Sequence, residues 1–388
     1  MFVLGIESSC DETSAAVVED GERILSNVVA SQILTHERFG GVVPELASRE
    51  HLRKISPVVE EALRRAELSA SRIDAIAVTE GPGLIGSLLV GLVYAKALAR
   101  ALDKPLVGVN HLEGHIHSAW LENKMMRRAG RTVVEAGFPN VTLVVSGGHT
   151  SLYRVWMETE HSADVFFYRQ LGQTRDDAAG EAFDKVAKLL ALGSPGGPVI
   201  DKLARFGDPH AFKFGAIKMK GNPFDFSFSG LKTAVLYRVR GSELAAEAAL
   251  RNEWRKCKGR ATADEIREQC SPSTLNLIAS FQEAVIRDLT ERTLQAAERE
   301  CVNSIFVTGG VACNSLLRER FDSTGRGSGF GVFVPSPALS TDNAAMIAAA
   351  GYYKLRLGER AGVSLTAHAS LPLGVQAARP DAATMPAG

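Results

Sequence analysis

Three of the nine histidines in this chain of 388 residues lie within one short stretch, at His111, His115 and His117. His111 and His115 are four residues apart, so on a helix their imidazole rings lie on the same face. Two imidazoles on one face form a common part of metal sites. The alternative is a helix start whose histidines are satisfied by ordinary hydrogen bonds. The spacing favours a metal site.

A glutamate close to these histidines suggests a comparison with zinc peptidases. In the HExxH motif of those enzymes the general base directly follows the first histidine. Here that position is Leu112, and the carboxylate is Glu113. Two residues along a helix correspond to a rotation of roughly 200°, so we expect Glu113 to face away from the two histidines. The pattern therefore disfavours a peptidase.

A third metal ligand has to come from a distant part of the chain. Asp342, in the sequence Ser-Thr-Asp-Asn at 340–343, stands at the predicted start of the last helix. Two histidines and one carboxylate leave coordination positions open for water or substrate, and this set suits non-haem Fe(II), although Zn(II) also accepts it. The alternative is that Asp342 only caps its helix.

Two short polar turns join predicted strands at matched places in the two halves of the chain. The first lies within residues 5–13 and the second consists of Ser146, Gly147, Gly148, His149 and Thr150. If both turns point into one cleft, their backbone N–H groups could hold an anion such as phosphate. The alternative is a pair of ordinary hairpins, because Gly-Gly is a common hairpin turn. The matched positions favour a phosphate clamp.

The elements that would hold these residues follow the same order twice. The first half predicts strands at 2–6, 13–19 and 23–31, a helix at 44–66, a strand at 73–79, a helix at 84–102, a strand at 106–109 and a helix from 111. The second half predicts strands at 141–145, 150–156 and 164–170, a helix at 177–192, an irregular stretch, a helix at 273–299, a strand at 304–308, a short helix from 312, a strand at 331–335 and a helix at 341–357. Both halves have the order βββαβαβα, which predicts an α/β fold of two like units facing each other across a cleft.

Several further patterns have a plain structural interpretation beside a functional one. Asp177, Glu181 and Asp184 share a helix face, which is typical of a solvated acidic surface, although Asp184 could hold ribose hydroxyls. The alternating aromatic residues at 224–228 are typical of a strand with a core face. Basic runs at 125–128 and 255–260 are typical of solvated loops, with RNA contact as the less favoured alternative.

Two glycine-containing motifs complete the set. The strand that ends in Gly309 and Gly310 precedes a helix whose start could bind an anion, and Asn314 there could hydrogen-bond a ribose or a base. In the helix at 84–102, small residues recur at every fourth position, which predicts close packing against another element. These residues are Gly83, Ser87, Gly91, Ala95 and Ala99.

Composition excludes several classes of protein. Lys+Arg and Asp+Glu both number 44, so the net charge is zero, and the broad basic excess of many nucleic-acid binders is missing. The longest apolar run, at 84–95, is shorter than the ~20 residues of a membrane span. Five cysteines without CxxC spacing predict reduced thiols. We therefore predict a cytoplasmic protein without a membrane segment, in which any RNA contact uses a local patch or a partner.

Ten stretches of the chain resemble one family, the tRNA N6-adenosine threonylcarbamoyltransferases, once described as O-sialoglycoprotein endopeptidases. They cover residues 5–348 in the family's order, and two of them, at 39–51 and 110–115, are similar to the bacterial branch. The stretches are GIESSCDET (5–13), FGGVVPELASREH (39–51), EGPGLIGSLLVG (80–91), NHLEGHIHS (110–118), VSGGHTSL (145–152), DDAAGEAFDKVAKLL (176–190), PGGP (195–198), FSFSGLKT (226–233), TGGVACN (308–314) and STDNAAMIA (340–348).

The resemblance implies a fold and a set of site residues. The fold is the duplicated α/β architecture of the actin, hexokinase and Hsp70 superfamily (the ASKHA fold), in agreement with the repeat. The implied metal ligands are His111, His115 and Asp342, with Fe2+ as the usual metal, one ion per chain, and Zn2+ as the alternative. Residues 146–150 match the phosphate-side substrate loop. Asp11 and Glu12 match acidic residues that line the cleft near the metal in the family. The residues that match contacts to the nucleotide part of the substrate are Asp184, Gly197, Asp201 and Asn314.

The implied reaction transfers a threonylcarbamoyl group from threonylcarbamoyl-AMP to N6 of adenosine 37 in tRNAs that read ANN codons, which forms t6A. Because phosphate contacts dominate RNA affinity, we expect a chain of zero net charge to bind tRNA weakly by itself. The resemblance implies a complex with an inactive paralogue (TsaB type) and a small ATPase (TsaE type). A metallopeptidase and a non-enzymatic scaffold of the same fold are the alternatives; Glu113 argues against the first and the complete ligand set against the second.

These patterns also predict a domain organisation. We expect a first subdomain at 1–120, to which 337–369 returns, and a second subdomain at 121–336 with an insert at about 240–270. The end of the chain, 370–388, is rich in Pro, Ala and Gly without periodicity, which predicts a disordered tail.

Overall fold

Two five-stranded sheets form the framework of the protein. The computed structural model describes residues 1–131, 137–160, 163–215 and 219–374, apart from the side chains of Arg38 and Arg326. Each sheet with the helices that follow its strands along the chain is called a lobe below.

The first lobe contains strands β1 to β5 and helices α1 to α4. The strands are β1 Phe2–Glu7, β2 Glu12–Glu19, β3 Arg23–Ser31, β4 Ala75–Gly81 and β5 Leu106–Asn110. The helices are α1 Ile33–His36, α2 Pro44–Arg65, α3 Ile85–Leu102 and α4 His111–Arg128, with 3-10 turns at Glu37–Phe39 and Ala70–Arg72. The sheet order is β3-β2-β1-β4-β5; the hairpin pairs β1/β2 and β2/β3 are antiparallel, and β4 and β5 add in parallel.

The second lobe repeats this topology. Its strands are β6 Asn140–Val145, β7 Thr150–Glu160, β8 Ala163–Gln173, β9 Ser304–Thr308 and β10 Gly331–Phe333. Its helices are α5 Ala179–Leu189, α6 Gly196–Ala204, α7 Ser229–Val239, α8 Glu243–Lys258, α9 Ala263–Glu268, α10 Pro272–Arg299, α11 Ser315–Ser328, α12 Pro337–Ser340 and α13 Ala344–Arg356, with a 3-10 turn at Gly310–Cys313. The order β8-β7-β6-β9-β10 and its pairing directions match the first sheet strand for strand. The predicted duplicated fold is confirmed.

The last helix of each repeat lies where the two lobes meet. Helix α13 packs mainly on the first sheet, although its Tyr353 also contacts Phe166 of the second. Gly5 makes the close approach possible because a Cβ there would lie 2.2 Å from the carbonyl oxygen of Ala344. Helix α4 packs its Leu112 and Ile116 against core residues of the second sheet. The starts of α4 and α13 are therefore brought together between the lobes, although they are far apart in sequence.

Helix α3 combines an apolar composition with a role in the core. Its mean hydropathy of 1.5 makes it long and apolar enough to span a membrane, and no other described helix passes this test. However, it connects the neighbouring parallel strands β4 and β5 and packs Leu92 in one core cluster with Ile76 and Leu106 of those strands. The predicted close packing of its small residues is confirmed, since a Cβ at Gly91 would lie 2.4 Å from Ser8 Oγ. These contacts are those of a core helix.

Three predictions about local structure are wrong. The irregular stretch after α5 contains four helices, α6 to α9, and the basic runs lie on helices α4 and α8 rather than mainly in loops. The aromatic run at 224–228 forms only a single bridge, between Thr174 and Phe226. The reason is Asp176, which accepts hydrogen bonds from the backbone N–H groups of Phe228 and Ser229 and starts a helix there. All three phenylalanines of the run are nevertheless buried in the core.

The limits of the predicted subdomains stay a prediction, because α4 continues without a break across residue 120. Of the predicted tail, residues 375–388 lie outside the described part. The preceding residues contact the fold: the Leu371 carbonyl oxygen accepts a hydrogen bond of 2.9 Å from Asn110, and Leu373 is buried.

Candidate metal centre and active-site cleft

The start of helix α4 carries two of the predicted metal ligands. The side chain of Asn110 accepts hydrogen bonds from the backbone N–H groups of Leu112 (2.9 Å) and Glu113 (3.4 Å), so it caps the helix at its N-terminus. This cap places His111 in the first turn and His115 in the next, with their ring centroids 4.8 Å apart. Both histidines are buried, and His115 is fully inaccessible to solvent.

The third predicted ligand, Asp342, lies opposite these histidines. Its Oδ1 is 3.2 Å from His115 Nε2 and 3.6 Å from His111 Nε2. Ligand atoms of the three residues all lie within 4.8 Å of one another. The alternative that Asp342 caps helix α13 is wrong, because Asn343 takes that role by accepting a hydrogen bond from Met346 N–H. Asp342 is thereby left to face the histidines.

The donor set of this cluster fits a metal ion. Neither ring nitrogen of His115 forms a hydrogen bond of acceptable geometry with the described residues, although the side chain is fully buried. A buried polar group without a partner costs free energy, and a metal ion at this point would satisfy the imidazole. Two nitrogens and one carboxylate oxygen suit Fe(II) and are also compatible with Zn(II). The residues fit a metal without fixing its identity.

Glu7, a residue that was not predicted from the sequence, orients this cluster by contacting the second ring nitrogen of His111. Its Oε2 lies 3.0 Å from His111 Nδ1 and accepts a 2.7 Å hydrogen bond from the Thr79 hydroxyl, while Oε1 accepts from the Ser9 N–H. A carboxylate on the second imidazole nitrogen fixes the ring and directs the other nitrogen outward, as is usual around bound metals. The only signal in the sequence was an acid at the end of an otherwise apolar strand.

These carboxylates control the charge of the histidine. Burial alone would lower the pKa of His111, but Glu7 and Asp342 outweigh it and raise the pKa to about 9. Without a metal, His111 would therefore hold a proton at neutral pH. Since a metal ligand must be the neutral imidazole, binding of a cation would release that proton.

The two residues suggested as catalytic acids lie in the first hairpin turn, before and at the start of β2. Glu12 Oε1 accepts a 3.0 Å hydrogen bond from the Ser31 hydroxyl. Burial, followed by the charges of Asp11 and Asp342, raises the pKa of Glu12 well above its ordinary value. The structure thus brings Asp11 and Glu12 to the metal side of the cleft.

Glu113 points away from the metal cluster, as the helix geometry predicted. Its Oε1 accepts a 3.1 Å hydrogen bond from the Tyr168 hydroxyl, and its Oε2 lies 3.8 Å from Lys354 Nζ. A general base at this position would be on the wrong face of α4. Glu113 is therefore not placed to act as the base of a zinc-peptidase motif.

The second hairpin turn faces the same cleft from the other lobe. The Ser146 hydroxyl accepts a hydrogen bond of 3.1 Å from His149 N–H, and Ser146 N–H donates to the His149 carbonyl oxygen at 2.7 Å. The exposed amides of Gly147 and Gly148 donate no hydrogen bond to any described residue. The ring of His149 lies 6.4 Å from that of His111. Burial and the charges of His111 and His115 lower its pKa to about 4, so it is neutral at pH 7.

The prediction that both turns offer N–H groups to an anion stays a prediction. In the first turn Glu7 accepts the Ser9 amide, whereas the amides of Cys10 and Asp11 donate no hydrogen bond to any described residue. In the second turn two adjacent amides remain free beside the histidine cluster. The two turns therefore differ in their side chains, because the first carries carboxylates and the second does not.

Comparison with known proteins agrees with this geometry. The family model for TsaD, the tRNA N6-adenosine threonylcarbamoyltransferase, matches residues 23–349. A protein of that name from Koribacter versatilis is 54% identical over 96% of this chain and 98% of the relative. Another from Anaeromyxobacter dehalogenans is 52% identical over 94% of this chain and 97% of the relative. The chain belongs to the tRNA N6-adenosine threonylcarbamoyltransferase family.

A more distant likeness concerns the fold alone. A solved structure of full-length HypF in the phosphate- and nucleotide-bound form is 12% identical, with a TM-score of 0.52 over 92% of this chain and 46% of that chain. Membership of the threonylcarbamoyltransferase family confirms the resemblance seen in the sequence. It also decides against the peptidase and scaffold alternatives.

The residues that match nucleotide contacts of the family form two groups at helix starts in the second lobe. Asp184 Oδ1 accepts a 2.6 Å hydrogen bond from Gly196 N–H at the start of α6, next to the unobstructed Gly197. Asp201 Oδ1 accepts from the Ser315 hydroxyl at 2.7 Å. Asn314, just before Ser315, caps α11 and donates from Nδ2 to Gln282 at 2.9 Å.

These groups adjoin the second hairpin turn through helix α5. The N–H of Gly180, in the first turn of α5, donates a hydrogen bond of 3.2 Å to the Ser146 carbonyl oxygen, and a Cβ at Gly180 would lie 2.7 Å from that oxygen. Asp184 follows one helical turn later. Asp177, just before this helix, and Glu181 on it both pair with Lys185, as a surface ion-pair group would. Asp184 is the one that turns to the start of α6.

Proposed function

We propose that this protein transfers the threonylcarbamoyl group of threonylcarbamoyl-AMP to N6 of adenosine 37 in tRNAs that read ANN codons, forming t6A. The observation that carries the proposal is the convergence of His111, His115 and Asp342 in a chain of this family. The three residues lie beside a turn with free amides and opposite two carboxylates, so one cleft offers sites for a cation, an anion and a proton.

The metal in this proposal is one Fe2+ per chain, with Zn2+ as the alternative, held by His111, His115 and Asp342. When bound, such an ion polarises a carbonyl or phosphoryl oxygen and neutralises phosphate charge. Support for the site comes from the unsatisfied nitrogens of His115 and from the carboxylate of Glu7 behind His111.

The phosphate of the donor is assigned to the turn Ser146, Gly147, Gly148, His149 and Thr150. The free amides of Gly147 and Gly148 support this assignment, because adjacent backbone N–H groups form good anion sites. The base and ribose are assigned to the neighbouring groups at the starts of α6 and α11, namely Asp184, Gly197, Asp201 and Asn314. Gly197 leaves open space for a ligand to approach the backbone.

The chemical step requires a base as well as an activated donor. The N6 amine of adenine is a weak nucleophile because its lone pair is delocalised into the ring. As it attacks the carbamoyl carbon, the bond from that carbon to the phosphate oxygen of AMP breaks, AMP leaves and N6 loses a proton. We assign the proton to Asp11 or Glu12; a carboxylate whose pKa is raised, as for Glu12, is a stronger base near neutral pH.

The partners and location follow the family. We propose tRNA as the acceptor and a complex with an inactive paralogue (TsaB type) and a small ATPase (TsaE type) in the cytoplasm. We also retain the division into subdomains at 1–120 with 337–369 and at 121–336 as a proposal. The zero net charge of the chain supports the need for partners in tRNA binding.

The proposal is tested by reconstituting the reaction. The purified chain, loaded with Fe2+ and mixed with its two proposed partners, ANN-decoding tRNA and threonylcarbamoyl-AMP, should form t6A detectable by mass spectrometry of the tRNA nucleosides. A tRNA in which adenosine 37 is replaced by guanosine serves as the control and should stay unmodified. Absence of t6A with the complete mixture, or casein cleavage by the same preparation that His111→Ala abolishes, would contradict the proposal.

A further inference from the structure

A cavity of about 550 Å3 lies between the lobes, and none of the three metal-cluster residues lines it. Its first-lobe wall is the segment 34–40, represented by Leu34, Glu37, Phe39 and Gly40. Its second-lobe wall combines the side chains of helices α5 and α8. Asp184 also lines it, so the cavity adjoins the proposed nucleotide site.

One face of helix α8 is directed into this cavity. Asn252, Arg255, Lys256 and Gly259 all line it, at positions i, i+3, i+4 and i+7, which share one face of a helix. Arg260 follows directly and also lines the cavity. The basic run that sequence reasoning assigned to a solvated loop is therefore an ordered wall.

The charges around the cavity are unequal. Four cationic residues line it, against the two carboxylates of Glu37 and Asp184, and Asp184 is already hydrogen-bonded to the start of α6. The cationic residues are Lys188, Arg255, Lys256 and Arg260. In a chain with zero net charge, this is a local excess of positive charge.

Three of these four cations lack a protein partner. The side chains of Lys188, Arg255 and Arg260 form no ion pair or hydrogen bond with the described residues, and Arg255 Nε is buried in addition. The Arg255 guanidinium lies against Gly193, where a Cβ would be 2.8 Å from Nη2, so the glycine makes room for it. An unpaired, partly buried guanidinium is costly. Its placement is explained if an anion binds in the cavity.

We propose that this cavity binds the phosphodiester backbone of the tRNA substrate. The inference rests on the proposed function. Arg255 and Lys256 lie in the last turn of α8, which ends at Lys258, and Arg260 follows the helix. Three cations on this wall match more than one phosphate along a strand rather than the single phosphate of AMP. Lys188, on α5, places a further cation on the same wall, within one helical turn of Asp184.

The test compares two triple variants of the full chain, each mixed with the two proposed partners. The cavity variant carries Lys188→Ala, Arg255→Ala and Arg260→Ala. The control variant carries Lys54→Ala, Arg72→Ala and Arg100→Ala, which removes the same charge from exposed first-lobe residues that have no ion pair among the described residues. Binding of ANN-decoding tRNA is measured by fluorescence anisotropy at several salt concentrations, and binding of AMP by calorimetry.

We expect the cavity variant to bind tRNA at least about tenfold more weakly and the control variant to change less than about threefold. The salt dependence should also fall, by roughly 0.7–0.9 in log–log slope for each phosphate that the variant no longer neutralises. AMP affinity and bound Fe2+ should stay as in the wild type. Equal weakening of tRNA binding in both triple variants would indicate general charge attraction and overturn the inference. A fall in AMP affinity with tRNA binding unchanged would assign the cavity to the small nucleotide instead.

A second measurement leaves the protein unmutated. An amine-reactive acylating reagent should label Lys188 and Lys256 less in the presence of tRNA, while Lys54 is labelled equally with and without it. Labelling of Lys188 that tRNA does not change would refute the inference. If the wild type forms t6A while the cavity variant binds tRNA normally, only the inference fails; if the complete wild-type system forms no t6A, the proposed function fails.

Discussion

The two hairpin turns occupy matched positions in the two lobes and present opposite chemistry to the cleft. In the first turn the buried Glu7 accepts the Ser9 amide, and Asp11 and Glu12 follow. In the second turn the amides of Gly147 and Gly148 are left without an acceptor among the described residues. The duplication has kept the backbone scaffold while the turn chemistry has diverged. The wall with Glu7, Asp11 and Glu12, called the acidic wall below, is therefore suited to a cation and a proton. The wall with Gly147 and Gly148, called the phosphate wall, is suited to an anion.

The metal cluster lies between these walls. Its removal should have the largest effect of all the changes predicted here, on both t6A formation and bound Fe2+. In His115→Ala the fully buried imidazole is removed, which leaves His111 and Asp342 as two ligands. Because a metal ion supplies several kcal/mol of charge stabilisation, we expect t6A formation to fall by roughly a thousandfold and bound Fe2+ to disappear. Metal analysis of the purified protein checks this, with His210→Ala, an exposed histidine, as the control.

Normal metal content in His115→Ala would show that the cluster is only a buried polar contact. In that case the cleft would have no metal ion between its two walls. A circular dichroism spectrum identical to that of the wild type would establish that any fall in activity comes from the site and not from misfolding.

The acidic wall is tested by the double variant Asp11→Asn, Glu12→Gln. General base catalysis contributes roughly 10²–10⁴-fold, so we expect the transfer rate to fall by about a hundredfold while bound Fe2+ and AMP affinity stay the same. Single-turnover assays with saturating donor measure the chemical step directly. A double variant that transfers at the wild-type rate would show that these carboxylates do not take the N6 proton.

Glu7 belongs to the first turn, but we expect it to affect metal binding rather than removal of the N6 proton. Glu7→Gln keeps the shape of the side chain but removes the carboxylate that holds His111 Nδ1. Removal of such a partner typically costs 10–100-fold in metal affinity, and we expect a Kd for Fe2+ raised by about that factor. Competition with a chelating dye measures it; the exposed Glu67→Gln is the control. Unchanged metal affinity would reduce Glu7 to a structural residue.

Local patterns were sufficient to predict much of this fold. Alternating apolar residues and helical periodicity predicted the strands and helices of both repeats, and four-residue spacing paired His111 with His115. Asp342 was assigned by its position and the family resemblance, and its neighbour Asn343 turned out to be the cap that frees it. Features that depend on residues close together in sequence were therefore predictable.

Features that depend on distant contacts were not. Glu7 meets His111 across 104 positions only because β1, β4 and β5 align in parallel. The aromatic run at 224–228 has the period of a strand, yet Asp176, 52 residues before Phe228, holds it in another conformation. Among the missed helices, glycine or proline interrupts the periodicity of α6 and α7, whereas α8 and α9 contain neither residue. For Glu7 and the aromatic run, a long-range contact overrides the local pattern.

The phosphate wall is tested by Gly148→Ala. A Cβ at this position meets no atom within 4 Å, so the free energy of unfolding should change by less than about 0.5 kcal/mol. The added methyl would keep the donor phosphate from the amides, and we expect KM for threonylcarbamoyl-AMP to rise severalfold while bound Fe2+ stays the same. Gly362→Ala, where a Cβ would make only an ordinary contact of 3.9 Å with Ser364 Oγ, is the control. An unchanged KM would contradict the assignment of the donor phosphate to this turn.

The smallest expected effect is on thermal stability. Its dependence on pH should differ between a variant of the acidic wall and a variant of the phosphate wall. Burial and the charges of Asp11 and Asp342 raise the pKa of Glu12 above its ordinary value of 4.5, so the folded state binds this proton more tightly than the unfolded state. The associated stability is present below pH 4.5 and disappears as the pH rises through the folded-state pKa. Glu12→Gln removes this pH dependence, and the metal-free variant should therefore melt a few degrees above the wild type at pH 8 but equal it at pH 4. Since Gly148 carries no ionisable group, Gly148→Ala should show no such dependence on pH. Thermal melts of the metal-free proteins across this range decide the matter: a gain for Glu12→Gln that is the same at every pH would mean that packing and not charge sets its stability.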